Sequence, residues 1–217
     1  MGKNIGFIST RFAGTDGVTL EANKWAEVLE RAGHQCFWFA GELDKEPEKS
    51  FHVSEGHFQD EQNKKINDSV FGKKMRKASV TEKIHALRAL LKVNLYEFIE
   101  QFKIDLIIAE NVLTIPLHIP LGIALTEVIA ETQIPTIAHH HDFYWERVRL
   151  SVNAVEDYLH MAFPPCLPNI EHVVINSAAQ EELAHRTGIS STIIPNVLDF
   201  ENPPAVDLEK SRKCLES

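Results

Sequence analysis

The sequence predicts a doubly wound α/β fold, a mostly parallel sheet with helices on both faces. Three observations carry this. Short apolar runs recur along the chain, each followed by a polar loop and then by a segment with apolar residues at spacings of three and four. That alternation is the pattern of strands crossing over through helices. A length of 217 residues, with 44% hydrophobic and 24% charged residues, suits one large globular domain.

The elements follow in order. Asn4 to Ser9, with Ile5, Phe7 and Ile8, reads as a buried strand feeding a polar loop from Thr10 to Gly17. Val18, Ala22, Trp25, Ala26 and Leu29 mark a helix to Ala32, closed by Gly33 as a left-handed cap. His34 to Ala40 is a second strand. Gly41 to Gly72 loses periodicity and gains charge, predicting an irregular excursion with one short strand near Phe51 to Val53. From about Thr81, Ile84, Leu87, Leu91, Leu95, Phe98 and Phe102 trace a long amphipathic helix, followed by the strand Ile104 to Ala109. A helix over Leu117 to Thr132, a strand over Pro135 to His139, a helix over Ala154 to Ala162 and a strand over His172 to Asn176 come next. Ser177 is expected to cap a helix to about Arg186, and Thr192 to Ile194 is a last short strand. Residues 1–200 thus read as one domain and 201–217, opening on Pro203-Pro204, as a linker or the start of a further domain.

Composition excludes several classes. The apolar runs are too short to span a bilayer and Met1 to Ser9 lacks a signal-peptide pattern, which predicts a cytoplasmic protein. Cys36, Cys166 and Cys214 are odd in number and widely spaced, offering neither a disulfide framework nor a CxxC site. A net charge of −9 argues against a nucleic-acid partner. Locally, however, Lys64 to Lys92 is rich in Lys and Arg with Asp68 and Glu82 as its only acids.

In open parallel sheets ligands bind outside the carboxyl ends of the strands, so the loops there hold the candidate residues. In the first, Gly14, Thr15, Asp16 and Gly17 lead into a helix whose amides suit an anionic or polyhydroxy ligand; the glycines equally suit a tight turn. The spacing is not GxGxxG and no acid ends the second strand, which disfavours a dinucleotide. The second is His139-His140-His141-Asp142-Phe143-Tyr144-Trp145-Glu146-Arg147-Val148-Arg149. Extended residues alternate in direction, so at most His139 and His141 share a side. Without HExxH or a partnered cysteine no metal site is expected. His141 with Asp142, near Trp145, Arg147 and Arg149, joins hydrogen bonding, a stacking face and positive charge, as a sugar or phosphate site does. Asn111, after the strand Ile104 to Ala109, is a further cleft candidate.

The third loop, Ile194-Pro195-Asn196-Val197-Leu198-Asp199, completes a series. A glycine-containing loop before the first helix, Arg31-Ala-Gly-His34 before the second strand, the His141-Asp142 pair, the strand end Val174-Ile-Asn-Ser177 and this exit occur in one order. Together they resemble the amino-terminal, Rossmann-like domain of GT-B glycosyltransferases of family 4, the group 1 glycosyltransferases, over nearly the whole chain. The sequence departs at Thr15-Asp16-Gly17-Val18, where Gly-Gly-Val is usual, and at the exit, which lacks the usual glycine.

The resemblance implies the acceptor-side half of a retaining, metal-independent enzyme with a nucleotide sugar as donor substrate and no cofactor. The nucleotide-sugar domain would follow Pro204, and the isolated chain is expected to be inactive. His141 is implied to contact and position the donor sugar. Gly14, Thr15, Asp16 and Gly17 would lie beside donor phosphates or acceptor, with Asn111, His139, Trp145, Arg147 and Arg149 as further substrate contacts. Peripheral membrane contact through Lys73, Lys74, Arg76 and Lys77, and through Lys83, Arg88 and Lys92, is a further implication, set against an ordinary solvated face. A stand-alone sugar or nucleotide binding module and an NAD-dependent oxidoreductase are the alternative readings.

Overall fold

A computed structural model describes residues 2–197. The exit residues Leu198 and Asp199, the 201–217 segment and Cys214 lie outside them. Seven strands and six helices are described: β1 (Asn4–Ile8), α1 (Gly17–Arg31), β2 (Gln35–Ala40), β3 (Ser50–His52), α2 (Glu61–Val70), α3 (Ala78–Phe102), β4 (Leu106–Glu110), α4 (Ile119–Thr132), β5 (Thr136–His140), α5 (Glu156–Ala162), β6 (Ile170–Val174), α6 (Ser177–Thr187) and β7 (Thr192–Ile193). The strands form one sheet in the order β3-β2-β1-β4-β5-β6-β7, and every pair is parallel. The chain winds outward from β1 to one edge, returns to place β4 beside β1, and winds outward to the other edge. The winding direction therefore reverses between β1 and β4, where the loops after the two strands part and leave a crevice.

Both faces of the sheet are covered. On one, Ala22 and Ala26 of α1 pack on Ile5, Phe7, Cys36 and Trp38. On the other, the expected stripe Ile84, Leu87, Leu91, Leu95 and Phe98 of α3 is buried against the sheet and α4. A Cβ on Gly122 of α4 would stand 2.2 Å from Phe163 Cζ, so that helix needs a glycine there to seat the ring. Gly33 ends α1 at φ +90°, a conformation only glycine adopts without strain.

Three expectations are corrected. The excursion from Gly41 to Gly72 contains α2, capped by Asp60, which accepts from the amides of Gln62 and Asn63. Its buried face holds Asn63, Ile66 and Val70, too few apolar residues for a clear periodic signal. Asn176, not Ser177, caps α6 by accepting from Ala179 N. α3 begins at Ala78, ahead of its apolar stripe. No described helix is long and apolar enough to cross a membrane.

Candidate functional site

The crevice between β1 and β4 is a hollow of about 200 Å³ lined by Ser9, Thr10, Arg11 and Asp16 from one side and Asn111, Val112, Ile115 and His118 from the other, with Phe58 and Leu117 at its wall. Arg11 Nη2 donates to Asp16 Oδ2 at 2.9 Å, and its guanidinium stands 5.9 Å from the Phe58 ring centre. Asp16 caps α1, accepting from Thr19 N and, at 2.7 Å, from Thr19 Oγ1. Partial burial opposes the charge of Asp16, but these bonds and Arg11 outweigh it and hold the carboxyl below its ordinary range. Asp16 is thus committed to the cap and to Arg11. His118 is fully buried; its Nδ1 accepts from Leu121 N and its Nε2 donates to Glu55 O at 2.8 Å. Burial pushes it down to about 4, so it is neutral at pH 7.

The two readings of the glycine loop divide between its two glycines. Gly14 stands at φ +76° and its amide donates to Asp44 Oδ2, which is a turn role. Gly17 has open space where a Cβ would be and no positive φ, so nothing in this chain requires a glycine there. Thr15 between them is exposed.

The histidine run splits across the sheet as strand geometry demands. His140 faces one way, between Thr114 Oγ1 at its Nδ1 and His172 Nδ1 at 2.9 Å from its Nε2. Burial pushes His140 well below the ordinary histidine range and His172 to about 4. His139 and His141 face the other way and converge on Glu110, the last residue of β4. His139 Nδ1 donates to Glu110 Oε2 at 3.1 Å and Oε1 at 3.2 Å; His141 Nε2 donates to Oε2 at 3.3 Å. Burial alone would raise the Glu110 carboxyl, but the two histidine bonds prevail and hold it below its ordinary range. One ligand atom from each of the three lies within 4.8 Å of the others, close enough for a small cation, yet the bonds just described use those same atoms.

Two expectations about this loop are corrected. The carboxylate partner of His141 is Glu110 and not Asp142. Asp142 points away, taking Arg147 Nε at 2.8 Å and Nη2 on Oδ2, and Asn111 Nδ2 at 3.2 Å on Oδ1. His139 has no exposed surface and lies beneath Trp25, not at the open surface expected of a ligand contact. Asn111, at φ +57°, knits the two strand ends together, donating from its amide to His139 O and accepting from His141 N.

Trp145 and Arg149 are placed elsewhere. Trp145 stacks on Phe143 with ring centres 4.4 Å apart and lines a separate hollow with Tyr144, Glu156 and Arg186. Arg149 is exposed over a shallow pocket beside Asn67, Asp68 and Leu150. Sequence reasoning missed Arg11 and Glu110. The available signals were a cation at the first strand's exit and a lone carboxylate ending an otherwise apolar run.

The basic stretch divides too. Arg88 and Lys92 pair with Glu127, Lys92 also pairs with Glu131, and Arg76 makes a bidentate pair with Asp157 and covers the Tyr158 ring. Lys73, Lys74 and Lys77 are exposed around Met75, which is 86% exposed, and Lys83 is exposed on α3.

A mannosylglucosylglycerate synthase of Thermotoga maritima is 35% identical over 202 residues, covering 92% of this chain and 46% of the relative. A second, from Petrotoga mobilis, is 32% identical over 222 residues, covering 90% and 45%. The chain thus spans about half the length of these curated relatives. Among solved structures, Arabidopsis thaliana UGT89C1 complexed with UDP matches the whole chain and 55% of its own length at a TM-score of 0.53 and 12% identity, a likeness of fold. The Glycosyltransferase Family 4 model matches residues 16–202, which include α1, the His141 loop and Asn196. By that match the chain belongs to glycosyltransferase family 4.

Proposed function

We propose that this chain forms the acceptor side of a retaining sugar transferase whose donor is a nucleotide sugar and whose acceptor carries a glyceric acid carboxylate. The observation that carries the reading is the hollow between β1 and β4, which sets Arg11, Ser9, Thr10 and Asn111 at the carboxyl ends of the strands. The relatives' name ends in a glycerate, whose carboxylate is the group a guanidinium recognises best. Arg11 spends one nitrogen on Asp16 and keeps further N–H donors for such a ligand.

The residues divide the work. Arg11 fixes the acceptor's charged end, while the hydroxyl of Ser9 is committed to Glu110 O and Thr10 and Asn111 line the walls. Gly17, open at the start of α1, lets a phosphate approach the helix amides. His141 borders the same strand ends and orients a sugar hydroxyl, a contribution of positioning and not of proton removal. No metal takes part in this scheme. Exposed Lys73, Lys74 and Lys77 around Met75 fit peripheral contact with anionic lipid, a second and separate part of the proposal.

The test is calorimetric titration of this chain with glucosylglycerate. Saturable binding that weakens at least tenfold in Arg11→Gln, and weakens equally when the wild type is given the methyl ester, is the expected result. Equal affinity for acid and ester would sink the carboxylate reading. A chain containing a nucleotide-sugar domain should in addition transfer sugar to that acceptor.

A further inference from the structure

We infer that Glu110 is a positioning residue that fixes His141 as its Nε2–H tautomer and leaves Nδ1, beside the Asn196 amide, as the hydrogen-bond acceptor. The use of that acceptor by a sugar hydroxyl rests on the proposed transferase reading; the tautomer does not.

The argument starts from burial. Glu110 is inaccessible to solvent, and a buried carboxylate persists as an anion only where donors converge on it. Here the donors are the two imidazoles, His139 Nδ1 at 3.1 Å and His141 Nε2 at 3.3 Å. An ionised carboxylate has no proton to give, so both ring nitrogens facing it must carry one.

The second step assigns the charge. His139 Nε2 is buried and has no hydrogen-bond partner among the described residues. A doubly protonated His139 would strand a charged N–H donor there, beneath the Trp25 ring, which costs more than leaving a neutral ring's lone pair unpaired. His139 is therefore neutral, and the negative charge of Glu110 is left standing behind His141.

The third step is direction. With its proton on Nε2, neutral His141 has one acceptor, Nδ1, and the Asn196 side-chain amide lies 3.3 Å from that atom. Glu110 thus selects the acceptor atom.

Long-range proton–nitrogen NMR of the histidine-labelled chain reads tautomers directly, with His141→Gln assigning the signals. Wild type is expected to show His141 with a pyrrole-type Nε2 and a pyridine-type Nδ1. In Glu110→Gln, whose amide can donate as well as accept, the second tautomer should become visible. His139→Gln, which leaves the Glu110–His141 bond in place, should retain the first. A wild-type Nδ1–H tautomer, or an unchanged pattern in Glu110→Gln, would overturn the assignment. Should Glu110→Gln not fold, the wild-type tautomer still decides. Zinc chloride titration is expected to leave both ring patterns intact; one-to-one uptake that removes the two N–H signals would replace this reading with a metal site. Addition of glucosylglycerate, the acceptor proposed for this chain, should shift Nδ1 and spare Nε2. A fixed tautomer with no ligand shift would uphold the Glu110 assignment and count against the transferase reading alone.

Discussion

Trp25 of α1 lies flat on His139 of β5, their ring centres 4.5 Å apart and their planes inclined by 27°. The indole closes the helix side of the Glu110 cluster to water. Trp25→Ala is expected to cost about 3 kcal/mol, with Trp25→Phe retaining most of the stability. Urea denaturation measures both, and an unchanged midpoint in Trp25→Ala would mean that the stack contributes nothing.

Two glycines give a matched pair of tests. Gly122→Ala forces a methyl group into the Phe163 ring and is expected to destabilise by about 1–3 kcal/mol. Gly17→Ala meets no atom and should leave the urea midpoint within about 0.5 kcal/mol of wild type. In a chain that also carries a nucleotide-sugar domain, the same variant should bind the nucleotide sugar more weakly, because its methyl group stands where the phosphate would approach. Equal binding by Gly17→Ala and wild type would remove that residue from the site.

Acid should destabilise the fold well above the carboxylate range. His118 and His172 are each pushed down to about 4 by burial, whereas in the unfolded chain they titrate at the ordinary 6.5. The unfolded state therefore takes up protons first. Stability is fully present above about pH 6.5 and is lost as pH falls toward 4, by on the order of 3 kcal/mol for each histidine. His140 acts in the same direction, and Glu110, held low, adds its loss below the ordinary carboxylate range. A urea midpoint that stays flat from pH 7.5 to 5 would contradict this.

Vesicle binding tests the lysine corner. Vesicles with anionic lipid should retain the chain better than neutral ones, with about 1 kcal/mol lost for each of Lys73, Lys74 and Lys77 changed to Gln. Arg88→Gln and Lys92→Gln should leave retention unchanged, since those cations are engaged by Glu127 and Glu131. Identical retention on the two kinds of vesicle would end the lipid proposal.

Legibility in the sequence followed how local each cause is. α3 was readable because Ile84, Leu87, Leu91, Leu95 and Phe98 repeat along one segment. α2 was not, because its helix is held by Asp60 at the cap and by Asn63, whose side chain donates to Phe58 O and Leu117 O. The opposed faces of His139 and His140 followed from strand alternation alone. The Glu110 partnership depended on pairing: parallel register sets Glu110 opposite His139, a neighbour 29 residues away in sequence. Asp142 drew attention as the adjacent carboxylate, but its bonds to Arg147 and Asn111 belong to the loop's own folding.

The histidine run carries an evolutionary consequence. Three identical, contiguous residues serve three separate selective demands: packing beneath Trp25, a buried contact with Thr114 and His172 on the far face, and a partly buried position beside Asn196. Drift at one of them is no guide to drift at the next. Across descendants of this chain the first two positions should change together with the neighbours they touch, and the third with Glu110 and Asn196.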